Sequence, residues 1–196
     1  MPLVTLLCIF TYLLNFFNKI SQCSLVFVFL ALTTNIISEL YGKKKAMIAV
    51  VLCTIVGFGL LWNFDYYING RVIKGVVFAA FVSVLLSTYC STSVFLHLKS
   101  ASAYSFNTRN FISLIVCAIV DGVVMLGFFI NIFSTSRVLS IFYQEVLFKC
   151  IYSLAAYICI FSGLSLVQKI HDKKIRSAFT VFLSIFQNEI AHMQNR

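Results

Sequence analysis

Three ionisable residues stand out inside long apolar stretches of this 196-residue sequence. They are Glu39, Asp121 and Lys149, and the polar residue Asn35 precedes Glu39 by one helical turn. An ionisable side chain at the centre of a bilayer costs at least about 2.5–3.5 kcal/mol on insertion scales. Because this cost calls for a compensating role, these four residues are the candidates for binding a polar substrate inside a membrane.

Asp121 and Lys149 are expected at a similar depth on neighbouring helices. Asp121 lies about twelve residues past Arg109, which is roughly 18 Å at 1.5 Å per residue and leaves about 12 Å to the far surface. Lys149 lies about eight residues, again about 12 Å, from that surface. The two can therefore form an ion pair, with Glu145, one turn from Lys149, as a competing partner. Such a pair is either a structural bridge or part of a substrate pathway.

Asn35 and Glu39 are four residues apart and therefore share one face of a helix. Glu39 lies near the end of its apolar stretch, close to the basic cluster formed by Lys43, Lys44 and Lys45. Two interpretations stay open for Glu39. It is either part of a polar pathway or an interfacial carboxylate that extends toward the neighbouring lysines.

Catalytic and metal-binding patterns are missing from the sequence. It contains no HExxH, no GxSxG-type nucleophile turn and no Walker A motif, so we expect neither an enzyme nor an ATPase, and no cofactor. Its 7 cysteines are scattered with no CxxC pair, which predicts neither a metal site nor a disulfide framework. They are Cys8, Cys23, Cys53, Cys90, Cys117, Cys150 and Cys159.

The composition explains why these polar residues stand out. Hydrophobic residues make up 61% of the chain and charged residues only 11%, whereas a soluble domain has about 25% charged residues. This excludes a soluble enzyme, a disordered chain and a disulfide-rich secreted module. The formal net charge of +9 comes from short basic clusters between apolar runs. We interpret these clusters as determinants of membrane orientation rather than as a nucleic-acid surface.

The apolar runs predict an all-α integral membrane protein with about six transmembrane helices. The runs are continuous, whereas the strands of a membrane barrel alternate. They cover approximately residues 3–17, 24–41, 46–62, 72–98, 111–133 and 141–167. We expect a single transmembrane transporter domain over residues 1–168. Residues 169–196 are expected to form a basic cytoplasmic tail, either an amphipathic surface helix or a partly ordered segment.

The distribution of basic residues predicts the orientation. Lys43, Lys44, Lys45, Lys99 and Arg109 fall on the same side of the six predicted spans as the basic tail. This side holds most of the 15 lysines and arginines. The positive-inside rule then places both termini in the cytoplasm.

Several segments match a known family in order and spacing. Residues 34–44 read T-N-I-I-S-E-L-Y-G-K-K. Asn18-Lys19-Ile20 lies upstream, and Val94-Phe95-x-x-Leu98-Lys99, Arg109-Asn110-x-x-Ser113 with Asp121, and Phe148-Lys149 follow downstream. These segments resemble those of the queuosine precursor transporter family, bacterial membrane proteins of the vitamin-uptake type. The sequence departs from the family at Asn35, where an Asp is usual, and at Ser38, where an Asn is usual.

The resemblance implies a multi-pass protein of the bacterial inner membrane that imports a 7-deazaguanine: preQ0, preQ1 or queuine. The partners would be this nucleobase-like molecule and the lipid bilayer, without direct nucleic-acid contact. A guanine-like edge offers two adjacent donors to one carboxylate, so Asp121 or Glu39 would accept from it while Lys149 or Asn35 donates to its O6 atom. The alternative is a non-transporting membrane subunit or scaffold, in which Asp121 and Lys149 are a packing bridge.

Overall fold

The computed structural model describes residues 2–17, 19–61, 67–68, 71–72, 75–100 and 104–169. In these ranges the chain forms six α-helices and one antiparallel pair of two-residue strands. In chain order they are α1 (Pro2–Phe16), α2 (Ile20–Tyr41), α3 (Lys43–Leu61), β1 (Tyr67–Ile68), β2 (Arg71–Val72), α4 (Val76–Ser100), α5 (Phe106–Phe129) and α6 (Thr135–Lys169). The predicted tail beyond Lys169 lies outside the described residues.

In the described part of the chain, five helices are long and apolar enough to cross a membrane: α2, α3, α4, α5 and the segment Thr135–Ser162 of α6. The 15 residues of α1 are also apolar. At 1.5 Å per residue, however, α1 is only about 22 Å long, less than the roughly 30 Å of a hydrocarbon core. The predicted helical class is therefore confirmed, while the sixth span and the orientation of the termini stay predictions.

The orientation has a direct test. We expect tags at the two ends of the chain to be accessible only from the cytoplasm, because the excess of basic residues lies on that side. Accessibility of each tag to a membrane-impermeant reagent, in intact and in permeabilised cells, measures this. A C-terminal tag that is labelled in intact cells would contradict the predicted orientation. An N-terminal tag labelled in intact cells would instead show that α1 does not cross.

Several helices extend beyond the apolar runs of the sequence, because hydropathy marks apolar segments rather than helix termini. Helix α5 begins at Phe106 instead of near residue 111, since the Ser105 side chain caps its first turn by accepting a hydrogen bond from the Thr108 backbone N–H. Helix α3 begins at Lys43, directly after Gly42. The positive φ of 86° at Gly42 permits this tight turn between α2 and α3. The three lysines predicted to lie between spans therefore form the first turn of α3.

The chain divides into two compact units, residues 1–157 and 158–196. In the first unit, α4 packs most extensively against α5, while α2 contacts α1, α3, α4 and α5. Its main apolar core contains buried residues from each of the helices α1 to α5, among them Leu7, Phe27, Leu30, Val84 and Leu114. Helix α2 is therefore central to the bundle.

Large apolar side chains cover the outer surface of α6. Leu139, Tyr143, Leu147, Ile151 and Leu154 are all exposed, and they recur every three or four residues along one face. A continuous exposed apolar face of this kind suits contact with lipid acyl chains. The buried polar residues of the bundle lie on the sides of the helices that face one another.

Candidate functional site

A line of buried polar side chains runs between α2, α4, α5 and α6. On α5, Arg109, Ser113 and Asp121 are all buried and are separated by four or eight residues, so they lie along one face. We call the complete set the polar seam. It consists of Asn35, Ser38, Glu39, Ser83, Ser91, Thr92, Arg109, Asn110, Ser113, Asp121, Glu145 and Lys149, of which only Glu39 and Glu145 are partly exposed.

At one end of the seam, Glu39 of α2 pairs with two cations. Both of its carboxylate oxygens accept hydrogen bonds of 3.5 Å from the Arg109 guanidinium on α5, and one of them lies 3.1 Å from Lys99 Nζ on α4. The Arg109 guanidinium also lies over the Phe95 ring, 5.1 Å from its centroid. Glu39 therefore ties together the ends of three helices through Arg109 and Lys99.

Arg109 and Lys99 should contribute unequally to this group. The Arg109 side chain is 10% exposed and that of Lys99 is 47% exposed, so water screens the Lys99 pair far more. We expect Arg109→Gln to destabilise the protein by about 1–3 kcal/mol and Lys99→Gln by at most about 1 kcal/mol. Thermal unfolding of the purified variants in detergent measures both. Equal losses would show that Arg109 is as well solvated as Lys99.

One turn further in, Asn35 bridges α2 to α5. Its side-chain Nδ2 donates to Asn110 Oδ1 at 2.8 Å and to Ser113 Oγ at 2.7 Å. Both amide protons are thus used within the protein. In this arrangement only the Oδ1 atom of Asn35 is left for a substrate, and that atom accepts. Donation from Asn35 to a substrate carbonyl stays a prediction that would require these bonds to rearrange.

Three polar atoms of the seam are buried without a hydrogen-bond partner among the described residues: Asn35 Oδ1, Ser38 Oγ and Thr92 Oγ1. A fourth, Ser91 Oγ, lies against the Cys117 thiol, which is only a weak hydrogen-bonding group. Hydroxyl groups in helices can donate to the carbonyl one turn back, as Thr88 does to Val84 and Thr34 does to Leu30. Ser38, Ser91 and Thr92 do not. A buried hydroxyl or amide left unpaired costs roughly 1–3 kcal/mol in proteins. These atoms are therefore groups that a bound polar molecule would satisfy.

At the far end, Lys149 of α6 holds two carboxylates. Its Nζ donates to Asp121 Oδ2 on α5 and, at 2.5 Å, to Glu145 Oε1 on α6. The second Asp121 oxygen accepts from Ser83 Oγ of α4 at 2.5 Å. The ammonium also lies over the Phe27 ring of α2, 4.2 Å from its centroid. The structure thus contains the expected Asp121–Lys149 pair, and Glu145 joins it as an additional partner rather than a competitor. We call Asp121, Glu145 and Lys149 the charged cluster.

Close contact between α5 and α6 brings the charged cluster together. A Cβ atom at Gly122 would lie 2.8 Å from the Phe142 ring and 2.9 Å from Val146 Cγ2, so only glycine allows this approach. Gly122 directly follows Asp121, and Val146 directly follows Glu145. The absence of a side chain at Gly122 therefore sets the distance over which Asp121 reaches Lys149.

The four residues proposed from the sequence are not one cluster. Asp121 and Lys149 are bonded to each other, whereas Asn35 and Glu39 bind partners at positions 109, 110 and 113 of α5. Position 109 is twelve residues from Asp121, about 18 Å along the helix. The site residues proposed from the sequence did not include Ser83, Ser91, Asn110 or Ser113. Arg109, Asn110 and Ser113 appeared only in the segment that resembles the transporter family, and Arg109 also as a topological charge. The four-residue spacing of buried polar residues along α4 and α5 was the signal that could have identified them.

Acidic and sulfur-containing side chains form no obvious metal centre here. Within the described ranges, no group of three or more His, Cys, Asp or Glu residues is arranged to hold a metal ion. All seven cysteines are free thiols. The polar seam is thus built from hydroxyl groups, amides and ion pairs, which suit a neutral or weakly charged polar ligand.

Known proteins give no further indication of what this chain does. The resemblance to the queuosine precursor transporters rests on the short segments described above. No family model, no curated protein and no solved structure matches the chain.

Proposed function

We propose that this protein imports a queuosine precursor, a 7-deazaguanine such as preQ0, preQ1 or queuine, across the bacterial inner membrane. The observation that carries the proposal is the set of buried polar atoms that find no partner among the described residues, on helices apolar enough to span a bilayer. In hydrocarbon such atoms are costly unless something binds them. A polar molecule passing along the seam would do so.

The chemistry of the seam suits the edge of a guanine-like base. Each carboxylate oxygen can accept more than one hydrogen bond, so Asp121 retains acceptor capacity beside Ser83 and Lys149. The base's ring N–H and exocyclic amine would donate to Asp121 or to Asn35 Oδ1. The hydroxyl groups of Ser91 and Thr92 would donate to its O6 atom. Glu39 is a weaker candidate for the base than the sequence indicated, because Arg109 and Lys99 already bind it.

The mutual pairing in the charged cluster favours a second candidate function. Asp121 and Lys149 satisfy each other and need no substrate, as expected of a non-transporting subunit or scaffold whose buried charges join helices. This alternative does not explain why the hydroxyl groups of Ser38 and Thr92 lack a partner in the described part of the chain. We therefore favour transport.

Complementation separates the two functions. The protein is expressed in a queuosine-deficient bacterial strain that lacks its own importer, and a precursor is supplied at low concentration. We expect queuosine to reappear in tRNA, and the precursor that works at the lowest concentration identifies the substrate. No restoration by a protein that is well expressed and inserted in the membrane would contradict transport and favour the scaffold.

Variants of the unpaired hydroxyl groups sharpen this test. Thr92→Val removes a hydroxyl group that has no partner among the described residues, and Ser91→Ala removes one that faces only the weakly hydrogen-bonding Cys117 thiol. Thermal stability should therefore change little while uptake falls. Thr88→Val is the matched control, because the Thr88 hydroxyl group already donates to the Val84 carbonyl. Uptake unchanged in the Ser91 and Thr92 variants would remove the middle of the seam from the binding site.

A further inference from the structure

The formal charges of the charged cluster do not cancel. Lys149 Nζ contacts a carboxylate oxygen of Asp121 and one of Glu145. Within the part of the chain that the structure describes, no second lysine, arginine or histidine forms an ion pair with either carboxylate. Two carboxylates and one ammonium therefore leave one unbalanced negative charge between α5 and α6.

The surrounding helices do not supply the missing positive charge. Helix α2 contributes the Phe27 ring, which stabilises the Lys149 ammonium, and the Cys23 thiol. Helix α4 contributes the Ser83 hydroxyl group, and α5 contributes the Cys117 thiol. The thiols are the other titratable groups that face the cluster, and neither can become a cation.

One bound proton would make the cluster neutral, and the contacts indicate which carboxyl group holds it. Asp121 accepts hydrogen bonds from both Ser83 and Lys149 and is 6% exposed. Glu145 accepts from Lys149 and also lies against the Asp121 carboxyl group. Two donors stabilise the charged form of Asp121 more than one donor stabilises that of Glu145. A net charge in hydrocarbon is costly, so Glu145 takes the proton.

We infer that Glu145 holds one proton in the resting protein and exchanges it during each transport cycle, which couples uptake to an inward proton gradient. This inference rests on the proposed transport function. When Glu145 releases the proton, its O–H bond breaks, the electron pair stays on the carboxylate and the proton passes to water. Rebinding reverses the step, and no other reactant is required. Asp121 and Lys149 stay paired throughout.

Infrared spectroscopy of the purified full-length protein tests the proton directly. At neutral pH and without substrate, the wild type should show the carbonyl stretch of one protonated carboxyl group, and Glu145→Gln should lack it. Glu39→Gln is the matched control and should keep the band, because Arg109 and Lys99 already balance Glu39. A wild-type spectrum without the band would overturn the inference, and so would a band that persists in Glu145→Gln.

Proteoliposomes test the coupling. Radiolabelled preQ0 is the probe, because it is neutral and its own charge does not drive accumulation. With one proton carried per substrate, a medium one pH unit more acidic than the lumen should support about tenfold accumulation. A protonophore should abolish it. Equal concentrations on both sides in the presence of the gradient, or accumulation that requires sodium instead, would overturn the coupling.

Counterflow without any gradient keeps the two proposals distinguishable. Exchange of labelled for unlabelled preQ0 depends on transport but not on proton coupling. If counterflow occurs but a proton gradient drives no accumulation, the coupling alone is overturned. If counterflow is absent as well, both transport and coupling are overturned. In Glu145→Gln we expect the gradient-driven accumulation to disappear, with counterflow falling far less.

Discussion

Replacing Lys149 alone with methionine should sharply reduce both the amount of inserted protein and the uptake of substrate. The variant keeps a side chain of similar length but leaves Asp121 and Glu145 buried without a cation. Removing one partner of a buried ion pair typically costs about 3–5 kcal/mol. Quantitative immunoblots of washed membranes measure the inserted protein, and thermal unfolding in detergent measures its stability.

Asp121→Asn is the informative companion, because it leaves a balanced pair. Lys149 keeps Glu145 as its partner, and the new amide oxygen still accepts from Ser83. We therefore expect near wild-type insertion. Uptake should nevertheless fall at least about tenfold, since losing a hydrogen bond to a charged acceptor is worth roughly 1.5–3 kcal/mol. A triple variant, Asp121→Asn with Glu145→Gln and Lys149→Met, should restore the stability that Lys149→Met loses.

Two results would contradict this account. If Lys149→Met inserts and unfolds like the wild type, the charged cluster is not buried in the functional protein. If Asp121→Asn transports like the wild type, Asp121 is a structural residue. The binding site would then move to the middle of the seam, around Asn35, Ser91 and Thr92.

Replacing Gly122 with valine should have the second largest effect. The new Cβ and its methyl groups would overlap the Phe142 ring and Val146, forcing α6 away from α5. Overpacking of this kind costs about 1–3 kcal/mol. Because Gly122 adjoins Asp121, the displacement also lengthens the contact with Lys149. We expect a clear drop in thermal stability and in uptake.

Gly127→Val, on the same helix, is the matched control. A Cβ atom at Gly127 would have no neighbour within 4 Å, and valine is no worse than glycine in a helix. Stability and uptake should therefore stay close to the wild type. If the Gly122 and Gly127 variants behaved alike, the close packing of α5 against α6 would not be what holds the charged cluster together.

The one-dimensional pattern of apolar and polar residues was enough to predict the helical class and the contact between Asp121 and Lys149. Long uninterrupted apolar runs have no other stable form in a bilayer than helices. The contact between Asp121 and Lys149 followed from helical rise alone, because each residue advances a helix by a constant distance and neighbouring spans run antiparallel. Depth along the membrane normal is therefore encoded directly in sequence position.

The rotation of each helix about its own axis, and the distance between neighbouring helices, follow only from the tertiary structure. The helices are apolar on most sides, so the hydropathy of a span does not say which face meets which neighbour. That choice turned Arg109 inward onto Glu39, directed both amide protons of Asn35 to α5, and made Glu145 a second partner of Lys149. Each contact depends on side-chain packing between segments far apart in the sequence, such as the approach of α6 to Gly122. Hydrogen bonds and ion pairs need their partners within about 3–4 Å, and only the packed bundle sets distances on that scale.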